Sequence, residues 1–407
     1  MSIPRSSQES EYIMTPIPGD VFNLAVGQPS RDLIPVHELH ETMTESLEFV
    51  DDPLLFQYPS VEGALSMRRD LSHFLITSGR YPSNLSPDNL RITYGNSHAI
   101  PLAIQALTQP GDNVIVENPT YFLSSKFFSE CHVTVHGCTA HAGLDMDEFV
   151  SIARKVKPKL VYVNPIHHNP SGTCLSTLAR ERLLHLSGEL GFYILSDEPY
   201  VLLSFNQTVN ESETSLATTA QRVLPNSYDR LICFGSFSKI IAPGLRCGWI
   251  NSSNQLLNLI SKSGSLVSGG SPAPILVECI RRFITSGRLI THIDFLCKQL
   301  QARRDALILS LTTHLGDEVS FHHPTGGYFV YVTFERLGST INLQEYIAKH
   351  SHNSLKFLPA HLCCASAKRD GPRIANAIRL SFSFYNPKEL DEAIRELAKF
   401  YYSFIAP

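Results

Sequence analysis

From about Gln57 to Ser286, short runs of consecutive apolar residues alternate with longer stretches of helical periodicity. Apolar runs of this length, bounded by turn residues, read as strands covered on both faces. They occupy 91–95, 113–117, 132–136, 160–164, 192–197, 230–235 and 247–251. Strands alternating with helices predict the α/β class: a large domain with a mostly parallel seven-stranded sheet between helices. Cys279 to Leu311 reads as one or two long helices bridging to a smaller α+β domain. That domain is expected to hold a strand at Thr325–Val332, a strand around Arg379 and a C-terminal helix from Pro387. The expected division is an N-terminal arm over 1–55 that packs with the small domain, a large domain over 56–290, and the small domain over 291–407. Asn206 to Pro225, rich in Ser, Thr and Asn, reads as a surface loop.

Composition narrows the function classes. A chain of 407 residues with 43% hydrophobic and 18% charged positions has enough apolar material for large buried cores. A formal net charge of −4 offers no basic footprint, so nucleic acid is not an expected partner. No apolar run approaches membrane-spanning length. Met1 to Glu11 is polar and has no apolar core segment, so a secretory signal is not expected. Nine cysteines, without a C-x-x-C pair, suggest reduced thiols and a cytoplasmic location.

Candidate chemistry concentrates at Gly235-Ser236-Phe237-Ser238-Lys239 and the following Ala242-Pro243-Gly244-Leu245-Arg246-Cys247-Gly248-Trp249. A lysine at a strand end can form a Schiff base with an aldehyde cofactor, while the hydroxyls of Ser236 and Ser238 and the Arg246 guanidinium suit a phosphate. Upstream, the strand ending in Ser196-Asp197-Glu198-Pro199-Tyr200 supplies Asp197, an anion able to keep a pyridine nitrogen protonated. Tyr200 is placed to hydrogen-bond the phenolic oxygen of such a ring. Gly95-Asn96-Ser97 opens a helical pattern, and a glycine turn into a helix N-terminus presents backbone donors and the positive dipole end to an anion. Together these features point to pyridoxal 5′-phosphate.

The lysine segment resembles that of fold-type I, class I/II aminotransferases, and the other motifs of that family follow in collinear order from about Val21 to Phe400. Asn169-Pro170-Ser171-Gly172 is similar to the family's N-P-T/S-G, which implies that the Asn169 amide touches both cofactor and substrate carboxylate. Asn118-Pro119-Thr120-Tyr121 is similar to its P-T-Y, which implies that the Tyr121 ring lies on the cofactor. Arg379-Leu380-Ser381-Phe382-Ser383 implies a two-pronged salt bridge from Arg379 to the substrate α-carboxylate. Tyr58 matches a tyrosine that reaches the phosphate of a neighbouring subunit, implying a homodimer with shared sites. Gly27 matches the segment that closes over substrate. In mechanism, Lys239 would hold the cofactor and then shuttle a proton between the substrate and cofactor carbons.

Within the family, Glu117-Asn118-Pro119-Thr120-Tyr121-Phe122 and Ser196-Asp197-Glu198-Pro199-Tyr200 look closest to the 2-aminoadipate and aromatic aminotransferase branch. The resemblance therefore implies an aromatic or long-chain amino donor and a 2-oxo acid acceptor such as 2-oxoglutarate. The same cofactor site also supports β-elimination or an aminocyclopropane-carboxylate-synthase-like reaction, so a lyase is the alternative. Departures from the family pattern at Pro59, Pro101, His167 and Phe357-Leu358-Pro359-Ala360 are expected where the site meets the substrate side chain. His167 and His168, adjacent in a strand-to-turn segment, should point to opposite faces, which argues against a metal role.

Overall fold

The computed structural model describes residues 22–48, 53–206, 208–350, 354–365 and 372–406, with side chains at 225–227 and 372–373 excepted. Residues 1–21 of the expected N-terminal arm lie outside the described residues. The apolar runs do become strands: Leu90–Thr93, Asn113–Asn118, Thr134–Thr139, Leu160–Val163, Tyr193–Asp197, Leu231–Ser236 and Gly248–Ser252 form one seven-stranded sheet. Leu160–Val163, Tyr193–Asp197 and Leu231–Ser236 lie at its centre, pair in parallel and are almost wholly buried. Gly248–Ser252 alone runs antiparallel to both its neighbours. The Thr134–Thr139 strand begins later than its apolar pattern predicts because His132, with φ at +54°, still belongs to the preceding turn.

Two apolar layers cover the faces of this sheet. One packs Ile115, Val161, Val163 and Ile194 against helices Met146–Val156 and Thr177–Leu190. The other packs Val114, Val116, Tyr162, Leu195 and Phe234 against helix Asn96–Leu107. The long helical pattern resolves into two helices, Pro274–Thr285 and Arg288–His314. The break comes at Gly287, whose φ of +78° no helix interior accommodates.

A second, four-stranded sheet is antiparallel, with Ala377–Ser381 paired to Phe329–Phe334 and Arg379 opposite Tyr331. The strand expected from Thr325 starts only at Phe329, because Gly326 and Gly327 instead form a bridge and turn against Ser204 and Leu203. Residues 22–30 attach to this second body. Phe22–Asn23 pairs with Leu355–Lys356, and the Ser381 amide donates to Leu24 O. Helix Pro387–Ile405 opens with a capping box in which Asn386 and Glu389 satisfy each other's backbone amides. It packs its buried Leu390, Ile394 and Leu397 beside helix Arg288–His314.

The stretch expected to be a surface loop, 206–225, departs from that expectation. It contains a 3-10 turn, Glu211–Glu213, of which Glu213 is buried, and the helix Leu216–Val223. Ser215 caps the helix, with Oγ accepting from the Ala217 amide at 3.3 Å. The fully buried Arg180 donates to the carbonyls of Ser212 and Thr214 and so pins the segment to helix Thr177–Leu190. Polar threonines disguised the helix, whose buried face is only Leu216, Ala217, Thr219 and Ala220.

Candidate active site

Lys239 follows the strand Leu231–Ser236 in a turn, so its side chain emerges at the carboxyl edge of the sheet, where open α/β sheets bind ligands. Gly235 in that strand lies against the indole of Trp249 on the neighbouring strand: a β-carbon at 235 would sit 2.1 Å from the indole ring. The Lys239 amine donates to Gly27 O at 2.6 Å and lies 5.4 Å from the Tyr328 ring centre. Burial, reinforced by the Arg379 and Arg246 guanidinium groups, lowers its pKa to about 8. An amine so disposed holds a neutral fraction near physiological pH.

Asp197 ends the neighbouring parallel strand and is buried. Its Oδ2 accepts from Tyr162 Oη at 2.7 Å, and its Oδ1 from Asn96 Nδ2 at 2.5 Å. Burial outweighs both donors and raises the carboxyl to about 6, with Glu198 and Glu117 adding to the rise. Both of these hydrogen-bond partners are neutral. A buried carboxylate in this setting gains from a cation set opposite it.

One end of the site is built from backbone turns. Gly95, with φ at +79°, turns the chain into helix Asn96–Leu107, and Ser97 follows in the first turn. A β-carbon at Gly95 would stand 3.5 Å from Arg246 Nη2 and 3.6 Å from Ser236 Oγ, so these three groups surround one small space. Arg246, in the left-handed region at φ +45°, donates to Ser238 Oγ at 3.3 Å and to Tyr94 O at 3.2 Å. The Ser238 amide donates to Ser236 Oγ at 3.1 Å.

Arg379 lies across the cleft, buried on the second sheet. Its Nη1 donates to Asn169 Oδ1 at 2.8 Å and its Nη2 to Ala25 O. The guanidinium carbon lies 4.1 Å from the Phe329 ring centre, a cation–π stack that fixes its plane. Asn169 is held in turn by its amide donating to Asn164 Oδ1 at 3.3 Å, and the Asn164 amide donates to Glu117 Oε2 at 2.7 Å.

All these groups face one cleft of about 730 Å³, lined by Gly27, Asn96, Ser97, Tyr121, Asn169, Asp197, Tyr200, Ser236, Ser238, Lys239, Arg246 and Arg379. Gly95 backs it. Tyr200 is buried against Tyr328 and Phe329. Burial and the nearby Asp197 raise the Tyr121 hydroxyl to about 12. Tyr58 does not reach this cleft; it is 80% exposed and lines a separate cavity with Leu54, Pro59 and Pro272.

The expected specificity positions are not where the sequence put them. Pro59 lines that separate cavity, and Phe357, Leu358 and Ala360 are core residues. His167, at φ +48°, turns away from the cleft: its Nε2 lies 2.8 Å from Ser204 Oγ, and its ring occupies the space left by Gly326. His168 instead contacts Ser171 and Glu117, so the two rings do face apart. The cleft wall is made by Ile100, Phe122, Leu123, Lys126, Phe127 and Phe329. Sequence reasoning missed them, and it missed Tyr162, because each reads as ordinary amphipathic or core patterning.

The donor set fits pyridoxal phosphate. A buried amine, a buried carboxylate without a cationic hydrogen-bond partner, and a cradle of hydroxyls, helix amides and one guanidinium match the cofactor's aldehyde, ring nitrogen and phosphate. Among the described residues, no helix is long and apolar enough to cross a membrane.

A model of the family described as aminotransferase class I and II matches residues 19–401. The aromatic-amino-acid aminotransferase 1 of Thermococcus litoralis is 27% identical over 97% of this chain and 91% of its own length. The 2-aminoadipate transaminase of Thermus thermophilus is 23% identical over 95% of this chain and 91% of its own. The crystal structure of the kynurenine aminotransferase of Pyrococcus horikoshii, in complex with PMP, superposes with a TM-score of 0.84 at 25% identity, covering 96% of this chain and 93% of that one.

Proposed function

Because the chain belongs to the class I and II aminotransferases, a family of pyridoxal-phosphate-dependent transferases, we propose that it moves the amino group of an aromatic or long-chain amino acid to a 2-oxo acid such as 2-oxoglutarate. The observation that carries this reading is one cleft holding the Lys239 amine, the buried Asp197 and the stacked Arg379 guanidinium. When bound, pyridoxal phosphate supplies an aldehyde carbon that receives the amino group and a ring that delocalises charge developing at the substrate Cα. In this reading the backbone amides after Gly95, with Ser97, Ser236, Ser238 and Arg246, hold the phosphate. Tyr121 covers one face of the ring, Asp197 faces its nitrogen, and Tyr200 with Asn169 holds its phenolic oxygen.

Arg379 grips the substrate α-carboxylate through two parallel hydrogen bonds, exchanging its present contact with Ala25 O for the ligand. Gly27 closes beside the substrate. Lys239 Nζ takes the Cα proton and delivers it to the cofactor carbon; its lowered pKa leaves enough neutral amine for that task. The apolar wall of Ile100, Phe122, Leu123 and Phe127 supports an aromatic or long aliphatic side chain. A second copy of the chain contributes Tyr58 to the phosphate, and this reading keeps the division of the chain at residues 55 and 290. A cytoplasmic location is part of the same proposal.

The test is the visible spectrum of the protein with pyridoxal phosphate, followed during addition of single amino acids. The expected result is a yellow complex, bleached by an aromatic or long-chain donor and restored by 2-oxoglutarate, with no yellow complex in Lys239→Ala. Release of pyruvate and ammonia without bleaching would instead establish a lyase.

A further inference from the structure

Tyr162 stands on the strand next to that of Asp197, in register with Leu195. Asp197, two residues beyond Leu195, projects from the same face, and the Tyr162 hydroxyl therefore meets its carboxylate across the strands. The Tyr162 ring is fully buried and held edge-on by Phe128 at 5.6 Å. Asn96 approaches the other carboxylate oxygen from the first residue of helix Asn96–Leu107. Its Oδ1 is buried without a hydrogen bond, so among the described residues the amide is oriented by Asp197 and, more weakly, by Phe234 O at 3.5 Å.

Resting on the aminotransferase reading, we propose that Tyr162 and Asn96 are positioning residues for Asp197: each saturates one carboxylate oxygen and together they keep the group ionised and aimed at the cofactor ring. Asn96 also begins the helix whose backbone amides face the phosphate cradle. One residue thus ties the ring-nitrogen end of the cofactor seat to its phosphate end. Removing either donor favours the neutral carboxyl, in which the proton rests on Asp197 rather than on the ring nitrogen, and weakens the ring as an electron acceptor.

The titratable groups facing Asp197 are Glu117 and Glu198, the phenols of Tyr121, Tyr162 and Tyr200, and the Lys239 amine. Tyr162→Phe keeps the ring and removes one donor, so the Asp197 pKa should rise above its present value of about 6. A carboxyl with a raised folded-state pKa stabilises the fold below its unfolded value, and that contribution is lost as pH rises through the folded one. Cofactor-free Tyr162→Phe should therefore go on losing stability where the parent has levelled off, and the Tm gap between them should be wider at pH 8 than at pH 5. In the loaded enzyme kcat should fall about tenfold, the scale of one hydrogen bond to a charged group, with donor KM little changed.

Asn96→Ala should behave alike from the other oxygen, and it decides the matter if Tyr162→Phe does not fold. Parallel Tm curves, or an unchanged kcat in a variant that binds cofactor, would overturn the proposal. If the parent binds no pyridoxal phosphate, the aminotransferase reading itself fails, and the cofactor-free curves still judge whether these donors hold Asp197 ionised.

Discussion

Lys239 shows how much of a residue's chemistry is set by what surrounds it. An ordinary lysine amine titrates near 10.4, so it is almost wholly cationic at neutral pH. Here burial and two guanidinium groups lower the value to about 8. With a depressed folded-state pKa, the neutral amine is favoured in the fold, a contribution to stability that is lost as pH falls through about 8. Labelling with a small aldehyde and borohydride, read by peptide mass spectrometry, should modify Lys239 with a midpoint near pH 8 and surface lysines about two units higher. Equal midpoints would refute this environment. That Lys239, Asp197 and Arg379 converge on one cleft could be read from the sequence because their neighbours form motifs. Tyr162 could not, since its hydroxyl meets Asp197 only through the cross-strand register Tyr162–Leu195.

At the scale of elements, the strand Leu231–Ser236 is held in place by the absence of a side chain. A β-carbon at Gly235 would overlap Trp249, whose indole packs 4.9 Å from Phe237 and 6.5 Å from Tyr81. Gly235→Ala should cost roughly 1–3 kcal/mol in urea denaturation through overpacking. It should also weaken cofactor binding, because Ser236 and Lys239 sit at the end of the displaced strand. Wild-type stability in this variant would show that the indole can move aside. The strands were legible because a buried strand needs an unbroken apolar run. Helix Leu216–Val223 was not, because its apolar stripe is only Leu216, Ala217 and Ala220, and the Arg180 guanidinium holds the carbonyls of the segment just before it.

For the whole molecule, the exposed residues argue for self-association. Leu54 and Phe56 are each 67% exposed and Tyr58 is 80% exposed, beside an open cavity walled by Met67, Ile92 and Val277. If Tyr58 completes a partner's site, two defective proteins should repair one another. Mixed Lys239→Ala and Tyr58→Ala chains, refolded together, should regain activity through the one site that inherits Lys239 from one chain and Tyr58 from the other. No gain over the separate proteins, with heterodimers confirmed by mass, would place Tyr58 outside the site. The sequence hinted at this partnership through the family pattern around Tyr58, but where the surface stays apolar is a property of the folded chain alone.

Trp249 is the single tryptophan of all 407 residues, and the fold has set it beneath the strand that ends at the cofactor seat. Trp249 is buried against Phe237 and Tyr81, so its indole should emit as one shielded from water, and the whole tryptophan signal should come from one known place. On the aminotransferase reading, cofactor loading and donor arrival should each change what absorbs light near it. The enzyme therefore carries a built-in optical gauge of its own active site, readable without a label.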